Sequence, residues 1–313
     1  MDSPVSFPSS DAALPKWAVS RGAASSERDA GFAAGVALGA LDDLVRSEPA
    51  WSGCWRARQA LKCAVAASRL MGRGEDEKAL RDAVLLTAAG DDPGPAGRIF
   101  LAYRRMAARR FMPSTSSIAE LAGLLGMAVD DRLAAAVDHA EDALQSGSAP
   151  PFAAAELVRR ILAEHADAEP LAWALGDGLI ATMLNWPRPV PLLMAERYGT
   201  AFRVSGESGR TGPADPAFAR AVCLALVQGT EGALRSAGEI SRRADTLASV
   251  LPKLRTKGAG TVVQKLLDDD AVPASAPGCD LSRWAAKRLF ERLEHFGAVR
   301  ELSGRGSFRI FGL

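Results

Sequence analysis

The sequence has few of the residues that build metal centres or disulfide frameworks. Its 313 residues include four cysteines and three histidines. The cysteines form no C-x-x-C pair and the histidines have no H-E-x-x-H spacing, so neither a zinc site nor a disulfide framework is expected. Three cysteines, Cys54, Cys63 and Cys223, are instead expected to be reduced and buried.

Long hydrophobic runs and an excess of charge of one sign are also missing. The longest apolar candidates, residues 31–41 and 171–184, fall short of the roughly 18 residues of a membrane span, and Asp177 interrupts the second. The first residues lack the basic region of a secretory signal. With 38 Lys+Arg against 37 Asp+Glu, the whole chain is not drawn to nucleic acid. We therefore expect a cytoplasmic protein without a membrane segment.

Most of the chain has the apolar periodicity of α-helices. Helices are predicted over residues 26–47, 55–71, 76–89, 96–110, 117–125, 130–144, 152–166, 170–184, 217–229 and 231–249. The alternation typical of strands appears only at the C-terminal end, and no fixed-period repeat is visible. The predicted fold is mainly all-α: a multi-helical body with a small C-terminal winged-helix-like domain of helix and β-hairpin.

Composition divides the chain into five predicted segments. Residues 1–16, rich in Ser, Pro and Asp, are expected to be a mobile tail, followed by the helical body over 17–202. Residues 203–216 are small, polar and rich in Gly and Pro, which is typical of a linker. Connecting helices are expected over 217–256. Residues 257–313 form the winged helix-turn-helix-like domain.

The helices of this last domain are predicted from their caps. Thr261 and Gln264 have the spacing of a capping box that begins a short helix. Asp280 is a suitable N-cap for a second helix over residues 281–296, which Gly297 ends. The stretch between the two helices leaves little room for the middle helix of a normal winged helix-turn-helix.

A hairpin follows the second helix. Residues 298–302 and 307–311 are short β-type runs on either side of a Gly-containing turn. A helix, a long turn, a helix and a terminal hairpin together describe a winged helix-turn-helix.

One face of the predicted helix 281–296 is basic. At 100° per residue its apolar positions share one face, and these are Ala285, Ala286, Leu289, Leu293 and Phe296. The opposite face presents cations and a tryptophan on the first two turns, which are the turns that recognition helices place against base edges. The hairpin adds three arginines, with Arg305 at the tip where a wing meets phosphate or the minor groove. The predicted DNA-binding residues are Arg283, Trp284, Lys287, Arg288, Arg300, Arg305 and Arg309.

Local charge agrees with this interpretation. Residues 283–313 contain seven Lys+Arg and three Asp+Glu, so this stretch carries a net +4 and the rest of the chain −3. A positive end steers a near-neutral protein toward a polyanion. The neighbouring triplet Asp268-Asp269-Asp270 would repel phosphate unless it points away.

Several charged positions in the body allow more than one interpretation. Arg58 and Asp82 interrupt two apolar helices and could pair across them, whereas Asp82 and Asp177 could instead line a pocket for a ligand or metal. The arginines that end helix 96–110 are expected to be a solvated helix terminus. Residues 90–97 lack the spacing of a phosphate loop, so a turn with Asp92 as N-cap and Pro93 at the first helical position is expected.

Several short sequence segments are characteristic of one family. They are L-P-K-W at 14–17, W-R-A-R-Q-A-L-K at 55–62, L-R-D-A at 80–83, G-D-D-P-G-P-A-G at 90–97 and W-P-R-P-V-P-L-L at 186–193. Three C-terminal segments are added to these: L-F-E-R-L at 289–293, G-A-V-R-E-L-S-G-R at 297–305 and F-R-I-F-G-L at 308–313. In these segments, and over nearly its full length, the chain resembles domain-of-unknown-function family 1403 of rhizobia and related alphaproteobacteria. The resemblance implies a bacterial cytoplasmic setting and carries no established activity. The C-terminal phrase also resembles the winged-helix ends of bacterial regulators.

Three functions are compatible with these features. The first is a DNA-binding regulator of transcription or plasmid maintenance that binds double-stranded DNA through the winged helix and uses the helical body for homodimerisation or for sensing a small effector. The second is a scaffold protein whose winged helix docks a protein partner. The third is an enzyme with an internal pocket near Asp82 and Asp177. No catalytic motif, metal site or cofactor site is recognised, so an enzyme is not expected.

Overall fold

The computed structural model describes residues 14–15, 17, 26–88, 90–204, 209–254, 256, 258–275 and 281–313. The α-helices in these residues are α1 (Glu27–Ser47), α2 (Ser52–Leu70), α3 (Glu77–Leu85), α4 (Gly94–Ala108), α5 (Thr115–Leu124), α6 (Asp131–Ala134), α7 (Ala136–Gln145), α8 (Pro150–Glu164), α9 (Glu169–Met183), α10 (Phe218–Val250), α11 (Ala259–Asp268) and α12 (Arg283–His295). Short 3-10 helices cover Ala166–Ala168, Met194–Glu196, Thr200–Phe202 and Leu251–Lys253. Among the described residues, no helix combines the length and apolarity needed to cross a membrane.

Three short strands follow the helical body and confirm the predicted fold class. They are β1 (Val272–Pro273), β2 (Arg300–Glu301) and β3 (Ile310–Gly312). β3 lies in the centre and pairs antiparallel with both neighbours, with Val272 opposite Phe311 and Arg300 opposite Gly312. The β2–β3 pair is the predicted hairpin. β1 is an addition that the sequence did not predict.

Local capping explains where several helices begin. Ser26 forms a capping box with Asp29 at the start of α1. The side chains of Asp76, Ser114 and Asp130 accept hydrogen bonds from the first turns of α3, α5 and α6. α8 begins with prolines in its first turn, where the missing N–H costs nothing. These starts lie within a few residues of the predicted ones.

The predicted break between residues 229 and 231 is wrong, because α10 is one continuous helix of 33 residues. Glycine lowers helix propensity, which is why Gly229 suggests an end. Here the glycine serves packing: a Cβ at Gly229 would lie 3.3 Å from Leu192 Cβ. α10 packs against both α1 and α8 and so joins these two helices of the body.

The predicted helix over residues 130–144 is interrupted. Asp130 caps α6, which ends after one turn, and α7 begins again at Ala136. The predicted capping box at Thr261 and Gln264 is also wrong, because the N-cap of α11 is Gly258, three residues before Thr261, in a left-handed conformation (φ +86°). The side-chain amide of Gln264 instead donates to the Asp268 carboxylate at 3.0 and 3.1 Å.

α2 lies at the centre of the body, with α4 on one side and α10 on another. Most of its residues are buried, including Cys54, Cys63 and the charged Arg56 and Arg58. The indole of Trp55 is fully buried and donates to the Ala233 carbonyl of α10 at 2.9 Å. Cys54, Cys63 and Cys223 are buried free thiols, as predicted; Cys279 lies outside the described residues.

Asp177 is a buried carboxyl in the apolar helix α9. Its oxygens accept the backbone N–H groups of Leu192 at 2.9 Å and Leu193 at 3.2 Å. Burial raises the pKa of Asp177 to about 8, and the two hydrogen bonds counter only part of this rise. The side chain thus holds the loop after α9 against the helix.

Candidate nucleic-acid interface

α12 is fixed to the C-terminal sheet by its apolar face. Ser282 caps the helix, its hydroxyl accepting from the Ala285 N–H at 3.2 Å, whereas the predicted cap Asp280 lies outside the described residues. Phe290 is fully buried and stacks on Phe311 of β3, with ring centroids 4.7 Å apart. Of the predicted face, Ala286, Leu289 and Leu293 are buried.

Two predicted members of this apolar face are less buried than expected. Ala285 is only partly buried and Phe296, at the end of the helix, is exposed. Phe290 is the apolar contact that the predicted face omitted. The anchored face is therefore rotated slightly toward Phe290, and the opposite basic face is left open.

The outer face of α12 is exposed to solvent. Arg283, Trp284, Lys287 and Arg288 are all exposed. The indole of Trp284 is 73% exposed, and the Lys287 ammonium lies 5.8 Å from its ring centroid. The same ammonium lies 3.8 Å from Glu291 Oε1, so the face contains one weak ion pair.

The hairpin arginines differ from these residues because two of them have close partners. Arg305 donates to both carboxylate oxygens of Asp82 at 2.6 and 2.8 Å and to the Phe308 carbonyl. Arg309 donates to Glu294 at 2.9 and 3.2 Å, and its guanidinium lies 4.7 Å from the centroid of the Phe311 ring. Arg300 is exposed. The structure thus brings the α12 side chains together on one open face, while Arg305 and Arg309 lie against the protein.

The predicted Arg58–Asp82 pair is wrong. Arg58 instead forms an ion pair with Asp270, which also accepts from Arg81 Nε at 2.6 Å. Arg58 Nη2 further donates to the backbone oxygens of Asp270 at 3.1 Å and Leu313 at 3.2 Å. We call Arg58, Arg81 and Asp270 the Asp270 cluster; it joins α2 and α3 to the C-terminal sheet.

Asp270 pairs with both Arg58 and Arg81 inside the protein, and Arg81 has a second carboxylate partner, Glu77, at 3.0 Å. All three side chains are buried. Burial opposes ionisation of Asp270, but the charges of Arg58 and Arg81 outweigh it and hold the pKa of the carboxyl below its usual range. Gly312 is required beside the cluster, because a Cβ there would lie 2.6 Å from the Asp270 backbone oxygen. Asp270, the last of the three consecutive aspartates, therefore points into the protein, and its negative charge is paired with Arg58 and Arg81.

The arginines at the end of α4 form ion pairs and hydrogen bonds with neighbouring segments of the body. Arg104 forms an ion pair with Asp269, and both Arg105 and Arg109 form ion pairs with Glu120 of α5. Arg110 donates to the Asn185 side chain at 2.7 Å. Arg105, Arg109 and Arg110 are exposed, as expected of a solvated helix end, and Arg104 is partly buried.

The residues suggested for a pocket or a phosphate loop have structural partners. Asp82 holds Arg305, and Asp177 holds the loop after α9. Asp92 accepts a hydrogen bond from the Gly94 N–H at 3.0 Å. The N-cap of α4 is Pro93 and not the predicted Asp92, so the first helical residue is Gly94 and not Pro93. Within the described residues, no group of His, Cys, Asp and Glu could hold a metal ion.

Comparisons with known proteins place the chain in a family without defining an activity. Neither the search of curated proteins nor that of solved structures found a match. The family model described as "Protein of unknown function (DUF1403)" matches residues 6–313. Because the match spans almost the whole sequence, the chain belongs to the DUF1403 family.

Proposed function

We propose that this protein is a bacterial regulator that binds double-stranded DNA through the outer face of α12. The observation that carries the proposal is the exposure of Arg283, Trp284, Lys287 and Arg288 on the first two turns of a helix whose other face is anchored to a sheet. Arginine and lysine at these turns reach base edges and phosphates when the helix enters the major groove.

The order of elements supports the same function. α11, β1, α12 and the β2–β3 hairpin follow one another, and β3 lies between the other two strands. A recognition helix followed directly by an antiparallel hairpin is the arrangement of a winged helix. Between β1 and α12 only residues 274–282 are available, so we interpret the domain as a shortened winged helix.

The partners of Arg305 and Arg309 change the role that we assign to the hairpin. A guanidinium held by a carboxylate is less available to a phosphate than a free one. Arg305 and Arg309 therefore position the wing through Asp82 and Glu294. Direct contact with DNA is assigned to the α12 face, with Arg300 as the exposed cation of the hairpin.

The test is the salt dependence of DNA binding by a triple variant, Arg283→Ala/Lys287→Ala/Arg288→Ala. Each lost phosphate contact removes about 0.9 from the slope of log K against log salt concentration. We expect weaker binding and a flatter slope for this variant. The ligand is a site chosen by unbiased selection from DNA fragments, and affinity is measured by fluorescence anisotropy at several salt concentrations.

A second triple variant controls for charge alone. Arg28→Ala/Lys78→Ala/Arg132→Ala removes three exposed cations from the body and changes the net charge equally. We expect it to bind with nearly the original affinity and slope. Equal losses in the two variants would mean that the α12 face is not the DNA-binding surface.

Trp284 separates DNA binding from the scaffold alternative. An indole contributes contact area but no charge, so Trp284→Ala is expected to weaken DNA binding without changing the salt slope. If the full-length chain binds no DNA and Trp284→Ala abolishes capture of a protein partner, the scaffold function replaces the one proposed. Dimerisation would appear as paired half-sites roughly 34–36 Å apart in the selected DNA.

A further inference from the structure

A cleft of about 220 Å³ lies between α2, α4, the loop after α9 and the end of α11. Its lining residues include Gly53 and Arg56 of α2, Arg104 of α4, Arg188 and Asp268. We propose that this cleft binds a phosphate-sized oxyanion, either inorganic phosphate or the phosphate of a small phosphomonoester. The inference is independent of DNA binding, because none of the lining residues belongs to α12.

The principal observation behind this proposal is the burial of the Arg56 guanidinium without hydrogen bonds. Its side chain is 3% exposed, and none of its three guanidinium nitrogens forms a hydrogen bond with the described residues. The closest carboxylate oxygen, Glu48 Oε1, lies 3.5 Å from Arg56 Nη2, too far for a strong hydrogen bond. A buried guanidinium with unfilled donors is costly, and an anion that accepts from it removes this cost.

The electrostatics of the cleft favour an anion. The lining groups carry three positive charges, from Arg56, Arg104 and Arg188, and one negative charge, from Asp268. Glu48 and Asp269 beside the cleft pair with Arg188 and Arg104, so Arg56 is the lining cation whose guanidinium makes no hydrogen bond. Burial and the charge of Arg188 lower the pKa of Arg56 to about 10, so the guanidinium remains charged at neutral pH. Two guanidinium groups close enough to repel each other form the arrangement that a dianion stabilises.

Carboxylates around the cleft compete for these arginines and define the geometry of binding. Glu48 Oε1 lies 3.1 Å from Arg188 Nη2, so one carboxylate is shared between Arg188 and Arg56. Asp269 pairs with Arg104, and the Asp268 carboxylate is held by the Gln264 amide. A phosphate oxygen would take the place of the Glu48 oxygen between Arg56 and Arg188, which gives Arg56 the acceptor that it lacks.

The small volume of the cleft suits a small ligand. Drug-sized ligands occupy pockets of roughly 300–1,000 Å³, so a smaller cleft suits an ion or a small headgroup. α2 begins beside it without a side-chain cap, and its positive dipole end adds to the field. The planar fork of arginine matches a tetrahedral oxyanion better than it matches chloride.

The test is titration of the full-length chain with inorganic phosphate at constant ionic strength, with chloride as the balancing anion. Calorimetry is expected to show saturable binding, and the Tm is expected to rise with phosphate. Arg188→Gln removes a partly exposed cleft arginine and should weaken binding about tenfold or more, the loss expected when a charge-assisted hydrogen bond is removed. The absence of saturable binding to the native chain would overturn the proposal.

Arg159→Gln is the matched control. The Arg159 side chain is 40% exposed and has one ion pair, with Glu156, whereas that of Arg188 is 38% exposed and pairs with Glu48. Arg159 lies outside the cleft, so its variant is expected to bind phosphate like the native chain. Equal weakening in both variants would show nonspecific charge attraction and overturn the site.

Arg56→Met provides a second readout that does not require ligand. Without phosphate, removal of a buried guanidinium that makes no hydrogen bond is expected to raise the Tm. With phosphate, the ligand-induced rise in Tm should disappear. A variant that retains the phosphate-induced rise would overturn the role of Arg56. If this variant fails to fold, Arg188→Gln still decides.

Two further probes identify the class of ligand. Glycerol 3-phosphate binding tighter than inorganic phosphate would indicate a phosphomonoester, and the reverse would indicate the free ion. Acetate binding as tightly as phosphate would contradict the phosphate assignment. All of these measurements are made without DNA, so their failure is distinguishable from failure of DNA binding.

Discussion

Replacement of Asp270 by asparagine is expected to lower the free energy of unfolding by about 3–5 kcal/mol, the cost of breaking a buried ion pair by removing one partner. The substitution keeps the shape of the side chain but leaves the buried Arg58 without an ion-pair partner and Arg81 with the partly exposed Glu77 alone. Equilibrium unfolding in urea, with two-state behaviour checked by two spectroscopic probes, measures the loss.

Asp269 is the matched control for this substitution. Its carboxylate is 39% exposed and pairs with Arg104, which is also partly exposed. An ion pair of this kind contributes at most about 1 kcal/mol, so Asp269→Asn should have a small effect. Similar losses for the two variants would show that the Asp270 cluster does not stabilise the fold through its charges.

The Asp270 cluster also predicts how the protein responds to acid. Burial raises the pKa of Asp270, but the charges of Arg58 and Arg81 outweigh it and lower the pKa below its ordinary 3.8. The stabilisation is therefore present above the pKa of the unfolded chain and is lost as the pH falls through the lowered pKa of the folded state. Asp270→Asn should lack this part of the acid-induced loss of stability.

Asp177 is expected to have the opposite pH dependence. Burial raises its pKa from the ordinary 3.8 to about 8, so between these values the folded chain keeps a proton that the unfolded chain has lost. Stability consequently falls as the pH rises, by up to about 1.4 kcal/mol per pH unit in this window, and levels off above it. The effect is large because the window spans several pH units.

The difference in stability between the native chain and Asp177→Asn isolates this effect. Asparagine stays neutral and retains an oxygen that accepts the N–H groups of Leu192 and Leu193. Urea unfolding at a series of pH values should show the native chain losing stability relative to the variant from about pH 4 to pH 8. Parallel curves for the two proteins would contradict the raised pKa.

Amphipathic periodicity and capping predicted most helices because both depend on residues close in sequence. Ser26 and Asp130 mark helix starts through bonds to the next turn. Gly229 misled the prediction because its role is a contact with Leu192, which sequence spacing cannot reveal. The exposed face of α12 was predictable because the helical period alone places its cations opposite its apolar residues.

The partners of buried charges were not predictable in the same way. The sequence indicates that Arg58 needs a counter-charge, since it interrupts an apolar helix, but Asp270 lies 212 residues away. Arg56 gave no signal, because α2 is buried on nearly all sides and helical periodicity then does not distinguish positions. The distinction between the exposed cations of α12 and the paired Arg305 likewise required the position of Asp82 in space.

The long separation within the Asp270 cluster has a consequence for how the chain folds as it is made. Arg58 and Arg81 precede Asp270 by 212 and 189 residues. At a synthesis rate of roughly 5–20 residues per second, Asp270 is made about 10–40 s after the two arginines. We therefore expect the Arg58 guanidinium, whose carboxylate partner is Asp270, to stay hydrated during translation until Asp270 has been made.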